Sequence, residues 1–479
     1  MKNTKILGRI EECERLDGCM QADSAQLIIV YGRRRVGKTF LINQYYNNDF
    51  AYKLTGSYNE SRTNQLRNFV DELNRKTAQK YEVPRDWIEA FQFLRDYIES
   101  LPTEKKQVVF FDEMPWLDTP KSGFLPAFEY FWNGWASARD NLVFIVCGSA
   151  TTWMDDKLAN NKGGLFNRQT CKLYLKPFKL YEVEEYLVQR GIEWARYDIA
   201  EIYMILGGIP YYLSLLKPKL SCKQNIDALI FNKNGELRDE FYHLYNTLFT
   251  SSELYIKVVE ALSKKRGGLT RSEIAKATKI PENGKLSKIL KNLSLSGFIR
   301  ISNFYGNKKK ESVFQLADYY SAFYFKFIHN KYGLDENFWS GATETPLINS
   351  WAGLTFEQLC LDHIQQIKKK LSIGGVISTQ STWRTDGDED LGIDGAQIDL
   401  LIERKDRVVN ICEIKHTDGE FIIDKKYDIN LRNKMQSFKV LTNCKKTLHL
   451  TMISPYGVKN NKYSGIVTNE VILEDLFEK

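Results

Sequence analysis

Nowhere in the 479 residues does an apolar run approach the ~18 positions of a membrane-spanning helix, and the N-terminal stretch lacks the apolar centre of a secretory signal. Cysteine is sparse: eight residues, at 13, 19, 147, 171, 222, 360, 412 and 444, none in a C-x-x-C pair. That scatter argues against a disulfide framework and against a zinc module. Cys147 and Cys412 fall inside apolar, strand-like runs, where a cysteine is usually a small buried hydrophobe. The five histidines are isolated and form no metal-ligand cluster, and no internal repeat or low-complexity segment is present. These absences predict a reduced, cytoplasmic chain with no membrane partner. What remains is ordinary for a globular protein, with 43% hydrophobic and 27% charged residues. The length suits about three domains. A formal net charge of +7 is mildly basic and compatible with nucleic acid as a partner.

The chain is organised around Leu27 to Leu41. Four apolar residues, Leu27 to Val30, read as a buried strand; Gly32-Arg33-Arg34-Arg35-Val36-Gly37-Lys38-Thr39 follows, and Phe40, Leu41 and Ile42 open a helical pattern. Strand, glycine-bounded loop and helix are the context a phosphate-binding loop requires. The glycines let successive N–H groups face phosphate oxygens, and the helix N-terminus adds partial positive charge there. Gly32 to Phe40 are therefore the nucleotide-contact candidates. Lys38 is assigned to the β- and γ-phosphates and Thr39 to Mg²⁺. Three consecutive arginines exceed what phosphate binding needs, and the pattern gives them no further role.

The run Gln107-Val-Val-Phe-Phe-Asp112-Glu113 predicts a central parallel strand with two carboxylates at its C-terminal edge, where ligands lie in open α/β sheets. Asp112 is assigned to the Mg²⁺ shell and Glu113 to the attacking water. Asn141 to Ser149 predicts another buried strand. Ser149 is read either as a polar sensor of the γ-phosphate or as the cap of a following helix. Arg168, in the glycine-rich stretch Gly163 to Arg168, is read either as an arginine finger or as a surface pair. Helices are expected over 61–79, 87–99 and 179–245, the last interrupted at Gly207-Gly208-Ile209-Pro210.

Residues 254–318 have the order of a winged helix. Tyr255 to Leu262 is helical, Thr270 to Glu273 is a capping box, and Gly284 to Leu295 turns Leu286, Ile289, Leu290 and Leu293 inward. Two short strands follow, joined through Lys308-Lys309-Lys310. Lys285 and Lys288 on the outer helix face and the wing lysines are candidate DNA-phosphate contacts, although such modules also dock proteins. An aromatic-rich connecting helix is expected over 319–350. The last segment predicts a helix from Trp351 to about Leu371, a strand over 374–382, an exposed acidic loop over 386–394, and strands at 397–402 and 408–415. Asp399 on one strand with Glu413-x-Lys415 on its hairpin partner can converge on a divalent ion and an attacking water, with Glu357 completing the shell. The same residues also fit a cross-strand ion pair on a solvated face.

Together these features resemble a bacterial and archaeal family of AAA-type ATPases, related to the STAND NTPases, that carry a C-terminal nuclease-like domain. The resemblance rests on Gly8-Arg9-x-Glu11, Tyr31 to Thr39, Phe111-Asp112-Glu113, Cys147-Gly148-Ser149, Gly207 to Leu213, the winged-helix order, and Gly353-x-x-Phe356-Glu357 with Asp399 and Glu413-x-Lys415. It implies ATP as the nucleotide and a PD-(D/E)xK nuclease identity for the last domain, with Ile398 standing where the motif name has proline. Mg²⁺, or Mn²⁺ at the C-terminal site, would be the metals. The expected fold class is α/β, a P-loop NTPase with a parallel sheet and helical lid, then a winged helix, then a restriction-endonuclease-like domain. The expected division is an ATPase core over 1–175, a lid over 176–250, the winged helix and connecting helix over 251–335, and the nuclease-like domain over 336–479. Two functions follow: an ATPase whose nucleotide state governs DNA binding and a nuclease-like domain, or an ATP-switched scaffold with an inactive nuclease-like domain and protein partners. A homo-oligomer is left open.

Overall fold

The computed structural model describes residues 6–160, 163–265, 267–306, 312–331, 335–341, 345–388 and 393–479. The chain divides into two compact units, Met1–Pro177 and Phe178–Lys479. Among the described residues, no helix is long and apolar enough to cross a membrane.

In the first unit the apolar runs become the central strands β1 (Gln26–Gly32), β3 (Gln107–Asp112) and β4 (Leu142–Gly148), buried on both faces as parallel sheets demand. With β2 (Tyr52–Thr55) and β5 (Cys171–Leu175) at the edges, the order is β2-β3-β4-β1-β5. All four pairings are parallel. The helices are α1 (Ile10–Gln21), α2 (Lys38–Tyr45), α3 (Arg62–Lys76), α4 (Trp87–Glu99) and α5 (Phe124–Gly134). Ser61 and Asp86 cap α3 and α4 by accepting from the Asn64 and Glu89 amides. The face of α4 carrying Trp87, Phe91, Leu94 and Ile98 is buried, in an aromatic core that includes Phe69, Phe111, Phe128, Phe131 and Phe144. The register pairs Val30 with Cys147 and Phe111 with Val146. That pairing sets the C-terminal ends of β1, β3 and β4 at one edge. β5 was not predicted: its burial alternates along Cys-Lys-Leu-Tyr-Leu, as on a sheet edge, and it offers no apolar run.

The second unit opens with helices over Leu180–Gln189, Arg196–Leu206 and Pro210–Ser214, broken at Gly207 and Gly208. Gly208 is obligatory there, because an added Cβ would meet the Phe178 carbonyl oxygen at 2.0 Å. Helices Ser252–Ser263, Arg271–Thr278 and Gly284–Leu295 are followed by β7 (Ile299–Ser302) and β8 (Val313–Leu316), which with β6 (Leu269–Thr270) form an antiparallel sheet in the order β6-β8-β7. The capping box at Thr270 and Glu273 is present. The wing lysines Lys308, Lys309 and Lys310 lie outside the described residues.

Three element expectations differ from the structure. The region 319–350 holds separate helices, Tyr319–Phe327 and Phe338–Gly341, instead of one connector. The helix expected to reach Leu371 runs Pro346–Asp362, breaks at His363 and resumes at Ile364–Lys370. Most of the expected acidic loop is strand, because β9 (Ser378–Asp388) and β10 (Ile393–Arg404) form a long antiparallel hairpin; residues 389–392 lie outside the described ones. β11 (Val408–Ile414), β12 (Thr447–Ile453) and β13 (Asn469–Val471) complete a mixed sheet, β13-β12-β11-β10-β9, with helix Lys425–Leu441 between β11 and β12. The chain leaving β7 joins this sheet: the Tyr305 amide donates to the Thr382 carbonyl at 2.8 Å, and Thr382 returns a bond to Asn303 at 3.2 Å.

Candidate functional sites

The loop between β1 and α2 takes a shape that only certain residues permit. Gly32 has φ +147°, and a Cβ there would come within 2.4 Å of the Leu175 carbonyl oxygen; Gly37 has φ +87° and open space around it. The side chain of Lys38 is buried and its Nζ donates to the carbonyls of Gly32 at 3.1 Å and Arg33 at 3.0 Å. Its ammonium is thus drawn back over the loop. Thr39 Oγ1 donates to Asp112 Oδ2 at 2.8 Å, tying the start of α2 to the end of β3 although β4 separates β1 from β3. Asp112 Oδ1 accepts from the Glu113 amide at 3.1 Å.

Glu113 sits in the left-handed region, φ +46°, which is unusual for a side chain larger than glycine. Its Oε2 accepts from the Ser149 amide at 3.0 Å and from Ser149 Oγ at 2.9 Å. The Ser149 hydroxyl is therefore directed at Glu113, and the helical turn that follows starts at Thr151. Gly148 makes the approach possible, because a Cβ there would stand 2.7 Å from Met154 Sδ and from Pro115 Cδ. Among the other candidates, Arg33 and Val36 are buried, Arg34 and Arg35 half-buried, and Phe40 and Arg168 exposed. Arg35 has φ +72°. Arg9, in the segment just before β1 that reads either as a border of the nucleotide base or as a surface entry helix, donates from Nη2 to the Val36 carbonyl at 3.2 Å and so braces the loop. The Gly8-Arg9 pair was the available signal. Two hard oxygen donors, the Thr39 hydroxyl and the Asp112 carboxylate, at one sheet edge beside a loop with an ammonium suit a Mg²⁺-bound phosphate.

In the second unit, Asp399, Glu413 and Lys415 line one cleft of about 260 Å³ with Asp394, Asn430, Asn433 and Lys434. The pairing of Leu400 with Cys412 brings the two strands' acids together, and a register shift between Ile398 and Leu401 re-aims the chain at Asp399. Asp399 Oδ1 accepts from Gln397 Nε2 at 2.6 Å. Glu413 Oε1 accepts from Tyr427 Oη at 2.5 Å and from Lys415 Nζ at 3.0 Å, while Oε2 accepts from Lys434 Nζ at 2.6 Å. Burial pushes the Glu413 carboxyl up, but the Lys434 and Lys415 ammoniums outweigh it and hold it below the usual range. Glu357 is half-buried and lies with Asp399 in an adjoining cleft that also holds Arg384. Among the described residues, no three Asp, Glu, His or Cys side chains are grouped to hold a metal. Glu357, Asp399 and Glu413 thus do not form a three-carboxylate shell here, and both Glu413 oxygens are engaged by protein donors. This donor set does not fit a divalent ion as it stands. Tyr427 and Lys434 were not foreseen: they come from a helix that no motif connects to Glu413.

Residues 7–216 match the model of an ATPase domain found predominantly in Archaea. That range includes the loop, β3 and Ser149, so the similarity to such ATPase domains covers the whole of this candidate site. An uncharacterized protein of Methanocaldococcus jannaschii is 25% identical over 418 residues, spanning 86% of this chain and 88% of the relative. Among solved structures, a Walker-type ATPase of Pyrococcus abyssi is similar at 20% identity with TM-score 0.48, covering 67% of this chain and 96% of that one. A STAND protein of Pyrococcus horikoshii with a tetratricopeptide repeat sensor gives 14% identity and TM-score 0.31, covering 77% of this chain and 48% of that one.

Proposed function

We propose that the chain is a Mg²⁺-dependent ATP-binding and hydrolysing protein, and that its nucleotide state regulates a DNA-binding winged helix over 251–335 and a nuclease-like domain over 336–479. The core over 1–175 carries the nucleotide, and a helical lid over 176–250 follows it in the chain. The observation that carries this reading is the 2.8 Å hydrogen bond between Thr39 and Asp112, next to a lysine drawn over a glycine-bounded loop. Lys38 moves from the Gly32 and Arg33 carbonyls to the β- and γ-phosphates. Thr39 and Asp112 would hold the ion, which would supply positive charge to neutralise the phosphate oxygens. Glu113 orients and deprotonates the attacking water, and Ser149 fixes the carboxylate that does so. Arg168, exposed on its loop, is the candidate finger.

For DNA, helix Gly284–Leu295 buries Leu286, Ile289, Leu290 and Leu293 and leaves Lys285 and Lys288 exposed on its other face. That division of faces supports phosphate contact by the lysines.

The test separates binding from hydrolysis. Lys38→Ala should lower ATP affinity by about a hundredfold or more, in line with the loss of a charge-assisted phosphate contact, in a fluorescent-nucleotide titration. Glu113→Gln should bind normally yet release phosphate roughly 10²–10⁴ times more slowly. Undiminished ATP affinity in Lys38→Ala would sink the assignment. A second reading, an ATP-switched scaffold whose nuclease-like domain is inactive, is favoured by the engagement of both Glu413 oxygens. Divalent-dependent DNA cleavage lost in Glu413→Ala but kept in Glu113→Ala would exclude it.

A further inference from the structure

Tyr427 and Lys434 stand seven residues apart on helix Lys425–Leu441, two turns, and so on one face. Leu431 and Phe438 on that helix are buried in the core formed with Ile398, Leu401, Val409 and Ile411. The helix is therefore packed where both polar side chains meet Glu413, and Lys434 is itself only 14% exposed. Of the charged groups lining the cleft, Asp394, Asp399 and Glu413 are negative and Lys415 and Lys434 positive. Neutralising Lys434 alone would double the net negative charge from one to two. Beside Lys415, which follows the strand acid by two residues, a second lysine arrives from a helix onto the same acid at 2.6 Å.

We propose that Lys434 is the resident cation of this cleft: its ammonium takes the place at Glu413 that a divalent ion would take, so the native chain does not load Mg²⁺ or Mn²⁺ there. The proposal rests on reading Asp399 and Glu413 as the acidic pair of a nuclease-like site. It identifies the residue that decides whether that pair meets a metal. A fixed positive charge at hydrogen-bond distance from an acid repels any incoming divalent ion with little water between them.

The experiment is a Mn²⁺ titration of the full-length chain without nucleotide, with free ion read by electron paramagnetic resonance. All samples carry Asp112→Asn, which removes the carboxylate beside Thr39. Lys434→Met should bind one Mn²⁺ about tenfold or more tightly than the parent, a conservative figure for one charge acting on a divalent ion at an effective dielectric constant near 20. Lys434→Gln should do the same, Lys434→Arg should remain like the parent, and Glu413→Gln added to Lys434→Met should abolish the gain. Circular dichroism confirms that each variant is folded. A parent that already binds Mn²⁺ as tightly as Lys434→Met, and loses it with Glu413→Gln, overturns the proposal and leaves the acidic pair standing. Folded Lys434→Met and Lys434→Gln chains that bind no ion overturn both.

Discussion

His363 gives the second unit a measurable dependence on pH. Its ring is fully buried; Nε2 accepts from the Leu180 amide at 3.0 Å, and Nδ1 lies 2.8 Å from the Leu359 carbonyl. A carbonyl can only accept, so Nδ1 carries the hydrogen and the ring is neutral. Protonation would set a second N–H against the Leu180 N–H in a fully buried site. Burial first, and then the neighbouring Lys179 charge, bring the imidazole from 6.5 down to about 4. With 1.36 kcal/mol per pKa unit, the folded state forgoes about 3 kcal/mol of protonation free energy once pH is below 4. The sign follows from proton counts. Between pH 6.5 and about 4 the unfolded chain takes a proton that the folded chain refuses, so stability falls as pH falls through that window and is flat on either side of it. His363→Gln keeps an acceptor and a donor in the same directions but does not titrate. Urea unfolding of both chains at several pH values isolates the term, since carboxylates such as Glu413 contribute equally to each. The stability difference between wild type and His363→Gln should shift by about 3 kcal/mol in favour of the variant between pH 7 and 4. Parallel pH profiles would refute the neutral-ring assignment.

Two further outcomes are expected. The double variant Lys285→Ala, Lys288→Ala should flatten the dependence of log affinity on log salt by about 2 in a fluorescence-anisotropy titration with duplex DNA, near 0.9 per phosphate contact; an unchanged slope would move the DNA surface elsewhere. Phe144→Ala should destabilise the first unit by about 3–5 kcal/mol in denaturant unfolding, because Phe144 is fully buried on β4 with the Phe111 and Phe128 rings 5.0 and 5.2 Å away. A loss under about 1 kcal/mol would mean that the core repacks around the cavity.

What the sequence made legible follows from how local each signal is. β1, β3 and β4 announce themselves because a strand buried on both faces needs an unbroken apolar run, and α4 because Trp87, Phe91, Leu94 and Ile98 keep helical spacing. Strand order is not a local property: nothing in Leu142 to Gly148 says that β4 lies between β3 and β1. The break at His363 is hidden for the same reason. Apolar spacing continues from Phe356 and Leu359 to Ile367, while the ring ends up serving a backbone N–H 183 residues earlier in the chain. The acidic segment near Asp386 reads as loop from charge and glycine, yet hairpin pairing overrides propensity and draws most of it into strand. Ser149 was ambiguous because a serine before a helix fits both a cap and a site residue. Its 2.9 Å contact with Glu113, a residue 36 positions earlier, is not written in any local pattern.

The two candidate sites differ most in the charge of the partners their acids have found. Asp112 and Glu113 are held by neutral donors, the Thr39 and Ser149 hydroxyls and two backbone amides, while the Lys38 ammonium is bonded to loop carbonyls. Neutral donors leave the carboxylates' own negative charge in place for a cation arriving with phosphate. Glu413 is held by two ammoniums, which offset its own charge toward an arriving cation. On the proposed assignments the first site stands ready for Mg²⁺ and the second is closed to it, although both were read from the same sequence cue of paired acids on strands. A pair of acids marks where a metal site can form. The basic residues that fold against the pair decide whether it does, and in the second unit the decisive one, Lys434, lies 21 residues beyond Glu413 on a helix whose own pattern is dictated by burying Leu431 and Phe438.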